Sequence, residues 1–146
     1  FQAGLVMLFC LPFLAAGASP AQGWPVALGL LIWLAALSGE VIADRQLDRF
    51  RDNPNHRGLT CRHGVWRYSR HPNYFFEWCH RFAYVALAWG SPLAWMAWLG
   101  PVLMYVFLRW ISGIPFTEQQ ALRTRGDDYR DYQRRTPAFF PWFPKS

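Results

Sequence analysis

The sequence predicts an all-α fold: a polytopic transmembrane helical bundle of about four spans, ending in a cytosolic amphipathic segment. Two observations predict it. Apolar residues are blocked rather than scattered, since neither residues 1–39 nor residues 82–108 contain a single Asp, Glu, Lys or Arg. The composition, 53% hydrophobic and 18% aromatic with nine Trp, is too apolar for an ordinary soluble domain of 146 residues.

A spanning helix needs about 20 mostly apolar residues. Pro20, Gly23 and Pro25 break the first block, giving spans near 3–18 and 24–43. Gly90-Ser91-Pro92 breaks the second, giving spans near 74–90 and 92–112. The first and third are short, and tilt or local thinning of the bilayer absorbs the difference. Ala-Gly-Ala-Ser-Pro-Ala at 16–21 imitates a secretory cleavage site, but no basic region precedes the apolar run, so it reads as a span. Without an initiator Met, the whole of 1–146 is expected to be one membrane domain, the C-terminal part of a longer protein.

Charge fixes the expected topology. The segment from Arg45 to Arg70 holds seven Arg, and the tail after Ile114 holds five Arg plus Lys145. Both are cytoplasmic by the positive-inside rule, and an even number of spans puts them on one side without adjustment. Most of the +6 net charge therefore serves the bilayer surface. Nucleic-acid binding is excluded as a reading, because the arginines flank spans and no recognition module is present. The preference for Arg (14) over Lys (1) suits bidentate contact with phosphate.

The second span continues past the interface. Glu40, Asp44 and Asp48 recur at i, i+4 and i+8 with Arg51 three residues on, so one face turns acidic. Asp48 and Asp52 are expected to pair with nearby arginines. Glu40, at the edge of an apolar run, is a functional candidate. Asn53-Pro54 stops the helix and opens a loop over 53–64, where Gly58 and Gly64 let the backbone bend close to a ligand or a helix. His56, Cys61 and His63 match no metal-site spacing, and Cys10, Cys61 and Cys79 read as reduced thiols.

The run from Gly64 to Trp78 crowds Arg, His, Asn, Tyr and Glu against the start of the third span, with Pro72 suited to the first helical turn. Asn73 and Glu77 share a face, and Arg67 and Arg70 lie where guanidinium groups and free backbone N–H groups can converge on an anion. Glu77 and Arg81 form an i,i+4 bridge at headgroup level. After the fourth span, Glu118 to Arg125 is amphipathic, Tyr129 and Tyr132 face inward together, and Pro137, Pro141 and Pro144 interleaved with aromatics form an interfacial clamp.

Four ordered runs carry a resemblance: Glu40-Val41-Ile42-Ala43-Asp44-Arg45-Gln46-Leu47, then Gly64 through Phe75, then Ser112-Gly113-Ile114-Pro115, then Tyr129 through Pro141. Across nearly its whole length the chain resembles the steroid 5-alpha reductase-like family of bacterial membrane proteins. The resemblance implies an inner-membrane bundle with an NADPH site on its cytoplasmic side, the basic loop 45–73 and the tail, and hydride transfer to an enone of a lipophilic substrate. By position, Glu40 and Asp44 match residues at the nicotinamide and ribose end, Arg51 a phosphate contact, and Asn73 with Glu77 a cofactor pair. Arg67, Tyr68, Arg70, His71, Tyr74, Glu118 and Tyr132 complete the expected cofactor-binding set, and the catalytic acid is expected to lie outside this chain. Glu118 and Leu122 stand where the steroid enzymes carry His and Tyr. Phe76 stands where the family usually has Gly, and its ring would either crowd the cofactor or face lipid. Isoprenylcysteine carboxyl methyltransferases and phospholipid methyltransferases are the alternative resemblance: they share Arg70-His71-Pro72 and Tyr74, with Glu118 as a later carboxylate, and imply S-adenosylmethionine. A non-catalytic membrane remnant is the third, supported by Phe76.

Overall fold

The computed structural model describes residues 2–145 and is all-helical, with no strand among the described residues. Its elements are α1 (Gln2–Gly17), α2 (Trp24–Asp52), 3-10 turns at Pro54–His56 and Gly64–Arg67, α3 (Pro72–Leu87), α4 (Ala94–Ala97), α5 (Leu99–Val106), a π turn (Phe107–Ile111), α6 (Ile114–Arg125) and α7 (Asp127–Arg135). By their contacts they divide into two compact units, residues 1–37 with 77–106 and residues 38–76 with 107–146.

The first unit is inverted relative to a water-soluble core. Apart from Met104 its buried hydrophobics are alanines, with Ala15, Ala88 and Ala97 at the centre of one cluster, while Leu30, Leu31, Leu34 and Val102 are exposed. Small residues at helix contacts and large apolar ones outside suit a bundle packed by close backbone approach in lipid. A Cβ on Gly29 would lie 2.8 Å from Leu87 Cγ, and one on Gly100 would lie 3.2 Å from Pro12 Cγ, so both glycines mark such approaches. Glu77 and Arg81 form the expected bridge, Arg81 Nη2 to Glu77 Oε1 at 3.6 Å.

Two stretches, Trp24–Asp52 and Ala94–Arg125, are long and apolar enough to cross a membrane. At 16 residues each, α1 and α3 are about 24 Å long, short of a hydrocarbon core of about 30 Å. The region expected as one span over 92–112 is segmented: α4, α5 and the π turn follow one another, and Ser112 N–H bonds to Phe107 O at 2.8 Å. A Cβ on Gly113 would lie 2.9 Å from Leu108 O, so only glycine fits where the π turn hands over to α6.

The second unit is built around buried aromatic and polar anchors. Asn53 ends α2 and its side chain accepts from Asn55 N–H, as Asn-Pro chemistry dictates. Gly64 has φ +60°, and a Cβ there would run into the Gln46 side chain, whose Oε1 accepts from Val65 N–H at 3.0 Å. Trp66 Nε1 donates to Ala43 O at 2.9 Å, fastening the loop to α2. Tyr129 and Tyr132 do face inward together, packed on Ala121 with ring centroids 5.9 Å apart. The aromatic tail is extended: Trp142 N–H bonds to Tyr68 O and Lys145 N–H to Arg135 O, with Phe139 buried and Phe140, Trp142 and Phe143 exposed.

Candidate functional site

A cavity of about 490 Å³ opens within the second unit, inside the size range of small-molecule sites, about 300–1,000 Å³. The end of α2 supplies Asp44, Leu47, Asp48 and Arg51. The following loop supplies Thr60, Cys61, Trp66, Arg70 and His71, and the first turn of α3 supplies Asn73 and Tyr74. Thr117, Gln120, Ala121, Thr124 and Arg125 come from α6, and Tyr129 and Tyr132 from α7. Thr117, Gln120 and Thr124 recur at helical spacing, so one face of α6 makes a polar wall.

Charge is distributed unevenly over this lining. Asp48 and Asp52 make no ion pair among the described residues, contrary to the local pairing expected of them, and Asp44 accepts only from Asn73 Nδ2 at 3.3 Å. Arg51 is likewise without an ion pair among the described residues, and Arg125 lies 5.8 Å from the Tyr129 ring centroid. An acidic edge and two uncommitted guanidinium groups thus border one space. Aromatic rings of Trp66, Tyr74, Tyr129 and Tyr132 complete it.

Behind the cavity lies a buried polar cluster. Glu118 Oε1 takes Arg70 Nε at 2.7 Å and His71 Nε2 at 3.3 Å, while Oε2 accepts from Gln133 Nε2 at 2.9 Å. The Arg70 and Glu118 side chains are only 12% and 17% exposed, so this is an interior pair rather than a surface one. Arg70 also donates through Nη1 to Gln133 O and Thr136 O, and its backbone N–H bonds to Pro137 O. The His71 ring stacks on Tyr74 at 5.4 Å and 8°.

Other groups hold the frame. Tyr132 Oη donates to Trp66 O and to Ser69 O, the latter at 3.1 Å. Burial pushes the phenols of Tyr129 and Tyr132 well above their ordinary range, so both stay neutral donors. Burial also raises the Cys61 thiol, although the His63 backbone and the charges of Arg125 and Arg51 oppose it. Arg62 straddles α7, reaching Asp131 Oδ2 and Asp128 Oδ1 at 2.8 Å each, and with Arg134 and Arg135 it holds the Asp131 carboxyl down at about 2. Tyr132→Phe is expected to strip two backbone carbonyls of their donor and to cost about 1–3 kcal/mol, read as a lower denaturation midpoint.

The sequence profile of a family described as "Protein of unknown function (DUF1295)" matches residues 1–136. The chain belongs to that family. No curated protein and no solved structure matches it.

Of the residues singled out in this DUF1295 chain, Asp44, Arg51, Arg70, His71, Asn73, Tyr74 and Tyr132 line the one cavity. Glu118 stands behind it. Glu40 is half-buried on α2 one turn before Asp44. Arg67 lines a separate cavity with Lys145, and Tyr68 packs edge-on against Phe143 at 5.8 Å. Glu77 belongs to the other unit and is engaged by Arg81. At the start of α3, Ser69 Oγ accepts His71 N–H, Asn73 Oδ1 accepts Tyr74 N–H, and His71 O accepts Phe75 N–H.

Phe76 is half-buried. A Cβ on Gly39 would collide with its ring, so Phe76 seats on the bare backbone of α2 and does not line the cavity. Thr60, Gln120, Thr124 and Arg125 escaped notice in the sequence. The i, i+3, i+7 recurrence of Thr117, Gln120 and Thr124 was the available signal for α6; nothing local marks Thr60.

Proposed function

We propose that the second-unit cavity binds a nicotinamide dinucleotide, and that the protein is a steroid 5-alpha reductase-like, NADPH-dependent reductase of a lipophilic enone. The observation that carries this is the lining itself: carboxylates and guanidiniums that make no ion pair among the described residues, beside aromatic walls. Carboxylates of Asp44 and Asp48 suit ribose hydroxyls, Arg51 and Arg125 suit phosphates, and Trp66 or Tyr74 suits a base. The ordered motifs from Glu40 to Pro141 add support by resemblance. NADPH, when bound, would supply the hydride. The chain's own part is to bind and orient it and to keep water from the reacting end.

The fit has a specific mark in Thr60. The residue is 6% exposed, it lines the cavity, and its buried Oγ1 has no hydrogen-bond partner among the described residues. A buried hydroxyl left unpaired costs about 1–3 kcal/mol, which a ligand can relieve. Thr60→Val keeps the shape and removes the hydroxyl. It is expected to leave the ligand-free protein as stable or more stable, yet to weaken nucleotide binding about tenfold, as measured by titration. Equal binding by both proteins would place the ligand elsewhere.

S-adenosylmethionine is the second reading, and Glu118 weighs against it. The carboxylate that this reading needs for the ligand is engaged on both oxygens by Arg70, His71 and Gln133. The remnant reading rested on Phe76, whose ring is accounted for by Gly39. In the membrane, the basic loop and tail are assigned to the cytoplasmic face, where the nucleotide is available. Incubating the detergent-purified protein with lipophilic enones tests the activity. Because the catalytic acid is expected to lie outside this chain, NADPH binding without enone-dependent turnover is expected of it, and methyl transfer from S-adenosylmethionine would overturn the reading.

A further inference from the structure

Another cavity of the second unit, about 420 Å³, lies where the 3-10 turn at Gly64–Arg67, the end of α7 and the tail come together. Arg62, Arg67, Arg135 and Lys145 line it, and no Asp or Glu does. Two of these cations are already committed, Arg62 to Asp128 and Asp131 and Arg135 to Asp131. Arg67 and Lys145 make no ion pair and no side-chain hydrogen bond among the described residues. The tail is fastened on two sides of the space, by Trp142 N–H to Tyr68 O at 2.9 Å and by Lys145 N–H to Arg135 O at 2.8 Å. Between those ties stand Trp142 and Phe143, each 73% exposed, with Phe143 edge-on to Tyr68.

Two features together identify the occupant. Uncommitted cations around a space without a carboxylate call for an anion. Large exposed rings beside it call for an apolar phase, since aromatic side chains gain by lying at the boundary of headgroups and acyl chains. An anionic phospholipid supplies both. We propose that this cavity holds the phosphodiester headgroup of an anionic phospholipid from the cytoplasmic leaflet, with Arg67 and Lys145 on the phosphate and Trp142 and Phe143 against the adjoining acyl chains. A zwitterionic lipid fits worse, because its ammonium group would meet cations and find no carboxylate in the lining. General attraction between arginines and an anionic leaflet needs no cavity and treats exposed cations alike. A built site discriminates by position. The proposal does not depend on the nucleotide reading, and Arg67 lines this cavity rather than the one at Asp44 and Arg51.

Thermal denaturation of the detergent-purified protein against phosphatidylglycerol, phosphatidylcholine and inorganic phosphate tests it. Phosphatidylglycerol is expected to raise the midpoint with an apparent affinity about tenfold above that of phosphatidylcholine. Inorganic phosphate at the same concentration is expected to leave the midpoint unchanged. Arg67→Ala combined with Lys145→Ala should weaken the response to phosphatidylglycerol about tenfold and leave the lipid-free midpoint in place, since neither side chain is in an ion pair. Lys145→Ala alone, at an exposed position, should lose part of the response. Arg123→Ala combined with Arg134→Ala removes the same charge from exposed arginines outside the cavity and should retain it. Equal loss in the two double variants would overturn the site in favour of general surface attraction. An equal rise with phosphatidylcholine or with inorganic phosphate would overturn the anionic-lipid assignment, as would no response to phosphatidylglycerol.

Discussion

Glu118→Ala is expected to destabilise the protein by about 3–5 kcal/mol, the largest loss of any single side-chain truncation in the second unit. The carboxylate is the shared acceptor of Arg70, His71 and Gln133, and removing it leaves a guanidinium without its counter-charge in a largely buried position. Arg70 is itself the fastener of the tail, through Gln133 O, Thr136 O and Pro137 O. Losing Glu118 should therefore loosen residues 133–139 as well as the cavity wall. Glu118→Gln keeps an acceptor but not the charge, and about half the loss is expected. Thermal denaturation measures both. Faster hydrogen exchange in 133–139 should accompany the fall, whereas a surface ion pair would give a change below about 1 kcal/mol.

Gly39→Val is expected to cost about 1–3 kcal/mol or more by overpacking, because a Cβ at this position meets Cγ, Cδ1 and Cε1 of Phe76. Phe76→Ala should also destabilise, by the transfer and cavity terms of a half-buried aromatic. The two positions are one contact, so their effects should not add. Gly39→Ala combined with Phe76→Leu is expected to lie closer to the unaltered protein than the sum of the single changes, with a coupling of about 0.5–3 kcal/mol. Additivity would separate the two residues. Nucleotide affinity, corrected for stability, should be insensitive to Phe76→Leu, since the ring does not line the cavity.

The helical bundle was legible because its signals are local and repeated. Charge-free blocks, Pro and Gly breaks and the Asn53-Pro54 stop need no knowledge of distant residues, and the i,i+4 Glu77–Arg81 bridge and the inward tyrosines follow from helical spacing alone. The segmentation of the 92–112 region was not legible, because a π turn depends on the fit of Gly113 against Leu108. Site residues divided along the same line. Asp44, Arg51 and Asn73 stand out by chemistry and position, and the structure brings them to one cavity. The roles of Arg70 and Glu118 turn on partners 47 to 66 residues apart in the chain, beyond the reach of any local pattern. Phe76 was read against its own motif, while its explanation lies on another helix at Gly39. Thr60 is an ordinary loop threonine until burial leaves its hydroxyl without a partner among the described residues.

The most direct measurement is the thermal denaturation midpoint of the detergent-purified protein against increasing NADPH and, separately, S-adenosylmethionine. A ligand that binds only the folded state raises the midpoint by linkage, by about 2.7 kcal/mol of stabilisation at a hundred times its Kd. NADPH is expected to raise it in a concentration-dependent way that Thr60→Val weakens, with S-adenosylmethionine without effect. A rise with S-adenosylmethionine and none with NADPH would contradict the dinucleotide site at Asp44, Arg51 and Arg125.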